Sequence, residues 1–201
     1  GAIRVESIEE MSEVALALQL LDHPPGRRAV IIVGGGGNSV AAADSCAREG
    51  LAVPLLQSTT RDSLSTLLRE AGTSVRNPID DSGALFNNVI DLEQGLKAIF
   101  ADDGADFIIP ILNIGGSTPT TIQTMKWVTD SLCDLARRGE LLKPVIPVLS
   151  ALGAEPAALV ELEASRKKLL ASKIPVFPSL PSAARALGKY MAYHEHQREL
   201  R

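Results

Sequence analysis

Short apolar runs alternate along the chain with stretches whose apolar residues recur at helical spacing, and this alternation predicts an α/β fold. Five short runs are predicted to be strands, over 29–33, 52–56, 107–112, 144–149 and 174–177. The first of them, AVIIV, is apolar at every position, which is typical of a strand buried on both faces. Helices are predicted over about 8–21, 40–49, 58–71, 85–99, 119–137, 155–170 and 181–196.

The opening helix follows a capping-box pattern, Ser7 with Glu10. Its apolar positions form one helical stripe, Ile8, Met11, Ala15 and Leu18. The residues HPPG at 23–26 then break the chain. We expect a single domain over 1–201, with this leading helix and turn over 1–25 and a βα core over 26–201. We also expect it to be a piece or subunit of a larger protein.

Five strands that alternate with helices predict a parallel sheet with right-handed crossovers and both faces covered. The expected architecture is a flavodoxin-like, three-layer domain with a five-stranded parallel sheet in the order 2-1-3-4-5. In such sheets ligands bind beyond the carboxyl ends of the strands where the winding reverses, which is between strands 1 and 3. Glycine-rich loops follow both of these strands, so this edge is the predicted site.

Four successive glycines, 34–37, follow the first strand. Each lowers stability by about 0.5–1 kcal/mol relative to alanine, or roughly 2–4 kcal/mol together. A tight turn would need only one or two of them, whereas bare amides ahead of a helix can bind an anion. The candidate phosphate-binding residues are Gly35, Gly36, Gly37, Asn38 and Ser39. A turn without a ligand is the alternative.

The features that recognise nucleotides do not accompany this loop. Reading from Gly35, Val40 stands where a dinucleotide fingerprint needs its third glycine, and no Lys-Ser/Thr pair forms a P-loop. A flavodoxin FMN loop is rich in hydroxyls, and a receiver domain has an aspartate at the end of strand 3. Neither pattern is present. The phosphate expected here therefore belongs to another kind of group.

A second small-residue loop follows the third strand, and its candidate residues are Gly115, Gly116, Ser117 and Thr118. A helix cap explains them equally well. In the loop 72–83, Asn77 and Asp80 are further candidates, although Asp80 or Asp81 could simply cap the next helix. The histidines, at 23, 194 and 196, form no catalytic or metal-binding pattern. No catalytic residue and no metal site is predicted.

Composition narrows the function classes further. The 201 residues are 45% hydrophobic but only 3% aromatic, so aliphatic residues and alanine must form the core. A net charge of −4 argues against duplex binding. No apolar run reaches the length of a membrane span. Cys46 and Cys133 lack metal-ligand spacing and are expected to be reduced thiols of a cytoplasmic protein.

Several stretches together resemble a known family. They are 2–10 (AIRVESIEE), 28–44 (RAVIIVGGGGNSVAAAD), 75–80 (VRNPID), 143–145 (KPV) and 174–179 (IPVFPS). In this order and spacing they resemble the C-terminal flavodoxin-like domain of NDP-forming acyl-CoA synthetases. This family includes ADP-forming acetyl-CoA synthetase and belongs with the succinyl-CoA ligases. The resemblance covers nearly the whole chain.

The resemblance implies an acid-CoA ligase reaction, acyl-CoA + ADP + phosphate = acid + CoA + ATP, through a phosphorylated histidine on another domain. The helix that begins near Asn38 would be one of two whose N-termini face that phosphohistidine, with Gly35–Ser39 as its phosphate-holding loop. The loop Gly115–Thr118 would border the same site. Family loops commonly read Asn-Ala-Gly-Gly-Pro-Gly, so this one, GGGGNS at 34–39, departs from them.

The implied partners are the His-bearing flavodoxin-like, CoA-binding and ATP-grasp domains of the same enzyme. CoA and ATP or ADP with Mg would be bound mainly by those domains, so the isolated domain is expected to be inactive. Whether the chain forms a homo-oligomer stays open. Two alternatives also stay open: a non-catalytic regulatory or docking module, for example of an acyl-CoA-linked protein acetyltransferase, and a free-standing domain that binds another small anion.

Overall fold

The computed structural model describes residues 1–22, 26–68, 72–83, 85–86, 89–115, 121–151 and 155–200. This part of the chain contains seven helices: α1 (Ile8–Leu20), α2 (Gly36–Arg48), α3 (Ser58–Leu67), α4 (Val89–Phe100), α5 (Ile122–Arg138), α6 (Pro156–Ala171) and α7 (Leu180–Glu199). It contains four strands: β1 (Ala29–Val33), β2 (Ile79–Asp80), β3 (Phe107–Ile114) and β4 (Val148–Ala151).

The four strands form one parallel sheet in the order β2-β1-β3-β4. Strand β1 lies inside the sheet, with Ile32 paired to Ile79 of β2 on one side and Ile31 paired to Ile109 of β3 on the other. Because these strands run in the same direction, their carboxyl ends meet at one edge of the sheet. The predicted α/β class and the parallel arrangement are confirmed.

Both faces of the sheet are covered, and the side chains of β1 alternate between them. Val30 and Ile32 join an apolar cluster with residues of α3, α4 and α5. Ala29, Ile31 and Val33 join a second cluster with residues of α1, α2 and α7. The all-apolar run AVIIV is thus explained by burial on both sides, and the architecture has three layers.

The predicted five-stranded sheet is not confirmed. The predicted second strand contributes a single bridge, Ala52 with Arg28, because Pro54 has no N–H to continue the ladder. The rest of that edge of β1 is occupied by β2, which lies in the stretch predicted to be a loop. The predicted fifth strand also contributes a single bridge, Phe177 with Val148, and it contains Pro175.

The apolar stripe of α1 does not face the core. Ile8 is 76% exposed, Met11 53% and Leu18 41%, whereas Val14 and Ala17 are buried. Helix α1 packs on α7, where its small residues permit close approach. Glu10 forms an ion pair with Lys189 of α7, and the Tyr190 hydroxyl donates to the Leu21 carbonyl at 2.8 Å. These polar contacts select the buried face, and the larger apolar side chains remain in solvent.

None of the described helices is long and apolar enough to cross a lipid bilayer. Both cysteines are free thiols, Cys46 buried and Cys133 half-buried. Burial raises the pKa of the Cys46 thiol to about 11, which makes it a poor nucleophile at neutral pH.

Candidate functional site

Helix α2 begins at Gly36, four residues earlier than predicted, so the loop after β1 is only Gly34 and Gly35. Gly35 is the N-cap residue and has a φ of 94°, a conformation that favours glycine. Gly36 and Gly37 lie in the first helical turn and are exposed. Their helical conformation is open to any residue. Glycine at these two positions therefore provides space rather than conformational freedom.

The amides at the start of α2 have different partners. The Gly35 amide donates to Asp80 Oδ1 at 2.8 Å, and the Ser39 amide donates to the Gly35 carbonyl at 3.1 Å. The amides of Gly36, Gly37 and Asn38 lie in the first turn, where no earlier carbonyl of the helix can accept their hydrogens. They have no acceptor among the described residues. Three adjacent N–H groups are thus open at the positive end of a 13-residue helix.

Three other helices of the described chain have side-chain caps. The hydroxyls of Ser7, Thr121 and Ser179 accept from the amides of Glu10, Thr124 and Ser182 at the starts of α1, α5 and α7. Helix α2 has no side-chain cap. Helices α3 and α6 also lack a side-chain cap, so α2 differs from them in having two glycines in its first turn.

The side chains of Asn38 and Ser39 point back into the loop. Asn38 Nδ2 donates to the Gly34 carbonyl at 2.8 Å, and Ser39 Oγ donates to the Gly35 carbonyl at 3.3 Å. These side chains therefore do not cap the helix. Their bonds tighten the turn between β1 and α2, so Asn38 presents its backbone amide to the candidate site.

Asp80 lies beside the first turn of α2 because β2 pairs with the end of β1, Asp80 opposite Val33. Its side chain is almost fully buried, and Oδ1 also accepts from the Ser82 amide at 3.2 Å. Asp80 thus holds the loop before α2 rather than capping the next helix. Chain spacing offered no sign of this contact, since 45 residues separate the two partners.

The side chain of Asn77 is bonded to three backbone groups. Its Oδ1 accepts from the Ile31 amide at 3.0 Å, and its Nδ2 donates to the carbonyls of Ala29 at 2.7 Å and Pro54 at 3.0 Å. The peptide bond between Asn77 and Pro78 is cis. Through its three hydrogen bonds the side chain joins β1 to the segment that contains Pro54, and this contact helps to position β2 and Asp80.

Asp81 points to the opposite face of the sheet from Asp80. Its carboxylate is fully buried, and neither oxygen forms a well-directed hydrogen bond within the described chain. Burial raises the pKa of Asp81 to about 6, and the charge of Asp80 adds to the rise, while the nearby amides of Gly83 and Leu85 oppose it. Asp81 is thus a poorly solvated acid behind the site and does not face the α2 amides.

A groove of about 330 Å³ adjoins the start of α2 on its other side. Asn38 and Ala42 of α2 form one wall, the ends of β3 and β4 contribute Asn113 and Ser150, and Ser179 lies before α7. Asn113 and Ser150 are hydrogen-bonded to each other. The groove therefore lies next to the open amides of α2.

The second predicted loop is described only at its beginning. Gly115 follows β3 with a φ of 90°, at the same edge of the sheet as Gly34. Gly116, Ser117 and Thr118 lie outside the described residues. Gly34 and Gly115 thus follow neighbouring strands, β1 and β3. Their separate contributions to a site stay predictions.

The histidines lie away from this edge where they are described. His194 and His196 are on α7, and the ring of His194 packs against Tyr190 and Tyr193, with centroids 4.6 and 5.4 Å apart. His23 lies outside the described residues. Within the described chain, no three His, Cys, Asp or Glu side chains gather as a metal site. Open amides at a helix start are an arrangement that suits an anion.

Solved structures share this fold. A dinucleotide-forming acetyl-coenzyme A synthetase 1 of Candidatus Korarchaeum cryptofilum, in its apo form and in complex with phosphate and ADP, matches with a TM-score of 0.73 and 20% identity. The matches cover 96% of this chain and 39% of that chain. The PH0766 protein of Pyrococcus horikoshii OT3 matches with a TM-score of 0.68 and 23% identity, over 94% of this chain and 41% of that chain.

The sequence matches no protein-family model and no curated protein. The chain spans about two fifths of the length of the solved structures that it resembles. At 20–23% identity the likeness establishes a common fold. The chain therefore has the α/β architecture found in part of an acetyl-coenzyme A synthetase.

Proposed function

We propose that this chain is a domain of an NDP-forming acyl-CoA synthetase. In this proposal the first turn of α2 holds the phosphate of a phosphohistidine that another domain of the same enzyme supplies. The whole enzyme converts acyl-CoA, ADP and phosphate into acid, CoA and ATP. The observation that carries the proposal is the set of three open amides, Gly36, Gly37 and Asn38, at the start of a helix without a side-chain cap.

The glycines at 36 and 37 support a ligand rather than a turn. Each is about 1 kcal/mol less favourable in a helix than alanine. Neither has a positive φ, so the backbone does not require glycine there. Nothing lies within 4 Å of the position that a Cβ on Gly37 would take. The absence of side chains leaves an approach to the amides, as close contact with a phosphoryl group requires.

The chemistry of the proposed role is electrostatic. Amides that are already oriented by the helix stabilise charge on a phosphoryl group without any rearrangement during transfer. The helix dipole adds roughly half a positive charge at this end. In this proposal the reacting histidine, CoA and the nucleotide with its Mg belong to the other domains.

The adjoining groove suits the delivery of such a histidine. Its walls carry short side chains, including Ala42, Ser150 and Ser179, so an extended loop of a partner domain can approach α2 closely. The loop that starts at Gly115 would border the same phosphate from the neighbouring strand. This second role is part of the proposal and is tested separately from α2.

The test replaces Gly37 by Asp in the whole enzyme. A carboxylate at this position is compatible with the helix start and would occupy the amides itself. We expect phosphohistidine formation from radiolabelled ATP, and acetyl-CoA-dependent ATP synthesis, to fall by about 10²–10³-fold. Circular dichroism and thermal unfolding of the variant should match the wild type.

The matched control is Thr59→Asp, which places the same charge at the second position of α3, on the other face of the sheet. Gly37→Ala adds a side chain without charge and separates steric from electrostatic effects. Normal phosphohistidine turnover in Gly37→Asp would remove α2 from the mechanism. That result, with a parent protein that carries an acetyltransferase segment, would instead support a regulatory module.

A further inference from the structure

Asp80 introduces a negative charge at a site proposed to bind an anion. Its side chain is 6% exposed, and Oδ1 is already bound to the amides of Gly35 and Ser82. The second oxygen, Oδ2, has no hydrogen-bond partner among the described residues. It lies 3.9 Å from the position that a Cβ on Gly36 would take, so it faces the first turn of α2.

A carboxylate in this position restricts the ligand. An ionised carboxylate only accepts hydrogen bonds, and it repels a second anion that approaches the same turn. A bare oxyanion at Gly36–Asn38 would meet this repulsion without compensation. A ligand that directs an N–H at Oδ2 would instead gain a charge-assisted hydrogen bond while its phosphoryl group contacts the amides.

We propose that Asp80 makes the α2 site selective for a phosphoryl group carried on an imidazole, and selective against free inorganic oxyanions. This inference rests on the proposed function. The imidazole ring has two nitrogens, and when one carries the phosphoryl group the other can carry the hydrogen that Asp80 accepts. Asp80 is thus a specificity-determining residue, and its unpaired oxygen is the acceptor for the ring.

The neighbouring Asp81 provides an internal control. It is next in sequence, and well above pH 6, where the Asp81 carboxyl is ionised, its replacement by Asn changes the charge of the chain by the same amount as Asp80→Asn. Its carboxylate, however, is buried on the opposite face of the sheet, near Gly83 and Leu85. An effect of net charge would be the same for both variants, whereas an effect of position would be confined to Asp80.

The experiment titrates the ¹⁵N-labelled chain with sulfate and with phosphoimidazole and follows the amide signals of Gly36, Gly37 and Asn38. In the wild type we expect phosphoimidazole to bind about tenfold more tightly than sulfate or better. In Asp80→Asn the affinities for the two ligands should differ by no more than about twofold, because the variant binds sulfate more tightly and phosphoimidazole more weakly. Asp81→Asn should keep the wild-type ratio.

Three results would overturn the inference: a wild-type ratio near one, an unchanged ratio in Asp80→Asn, or an equal change in Asp81→Asn. The wild-type comparison needs no variant to fold, so the test does not depend on the stability of Asp80→Asn. A wild-type ratio near one, together with lost phosphohistidine in Gly37→Asp, would overturn this inference while the proposed function stands. Normal phosphohistidine in Gly37→Asp would overturn both.

Discussion

The side chain of Asn77 is bonded to the backbone of Ile31, in the middle of β1, where a neighbouring strand would otherwise supply the partner. The same side chain donates to Ala29 and Pro54. One amide group thus replaces the part of a β-ladder that the proline-containing segment cannot form. It also fixes the position of β2, which carries Asp80 to the start of α2.

Asn77→Ala should therefore lower the free energy of unfolding by about 3 kcal/mol, because it leaves backbone groups of β1 without partners. Urea unfolding would measure the change. Asn38→Ala, which removes one exposed side-chain bond to Gly34, is the control and should lower it by less than about 1 kcal/mol. Equal effects of the two substitutions would contradict the role given to Asn77.

Asp81→Asn should stabilise the protein at neutral pH. The pKa of Asp81 rises from 3.8 to about 6 on folding, so the folded chain binds more protons than the unfolded chain between these values. The stabilisation that the Asp81 carboxyl contributes is fully present below pH 3.8 and is lost as the pH rises through 6. The shift corresponds to about 3 kcal/mol at pH 7.

The Asn variant should show that gain at pH 7 and none near pH 3.5, as measured by urea unfolding at both pH values. An equal gain at the two pH values would mean that packing, not ionisation, is responsible. No gain at either would mean that the Asp81 carboxylate is better solvated than its burial indicates.

Lys173→Gly should stabilise the end of α6. Lys173 follows the helix with a φ of 59°, and the amides of Lys173 and Ile174 donate to the carbonyls of Leu170 and Leu169. This bonding pattern usually has glycine at the left-handed position. Removing the Cβ should raise the free energy of unfolding by about 1 kcal/mol.

The end of α5 provides the comparison. There the same bonding pattern has Gly139, with a φ of 70°, at the equivalent position. Gly139→Lys should lower the free energy of unfolding by about the amount that Lys173→Gly raises it. Two changes of the same sign would show that local contacts, rather than the backbone conformation, decide the effect.

Gly188→Ala should destabilise the contact between α7 and α2. A Cβ on Gly188 would lie 2.6 Å from the Glu49 carbonyl oxygen at the end of α2, a backbone atom that cannot move independently. We expect a loss of about 1–3 kcal/mol in thermal unfolding. Gly37→Ala, in open space, is the control and should be neutral or slightly stabilising.

Much of the fold was predictable because strands β1 and β3 are continuous apolar runs and the long helices have clear periodicity. Strand β2 was not, since two residues show no pattern and its partner Ile32 is 47 positions from Ile79. The start of α2 was misplaced because glycine has low helix propensity, which tertiary contacts outweigh here. For α1 the exposed face carries the larger apolar side chains, and only packing on α7 reveals that Val14 and Ala17 are buried.

For the site, the sequence placed the glycines at the correct edge of the sheet. It could not show that the Gly35 amide is already bound, because the acceptor is a carboxylate 45 residues away. It also could not show that Gly36 and Gly37 are helical. Asp80, a further candidate from the sequence, is bonded to the Gly35 amide of this loop.

The short bridges at the margins of the sheet have a consequence for self-association. Beyond β2, the Asp80 amide donates to the Ser74 carbonyl, and the Asp80 carbonyl accepts from the Ser74 amide. At the other margin, the Phe177 carbonyl accepts from the Leu149 amide, and the Phe177 amide donates to the Pro147 carbonyl. Each margin thus ends in a brief, proline-interrupted segment of the same chain. Among the described residues, neither margin offers a long unpaired ladder on which a strand of another molecule could add, and such margins disfavour fibril-like growth.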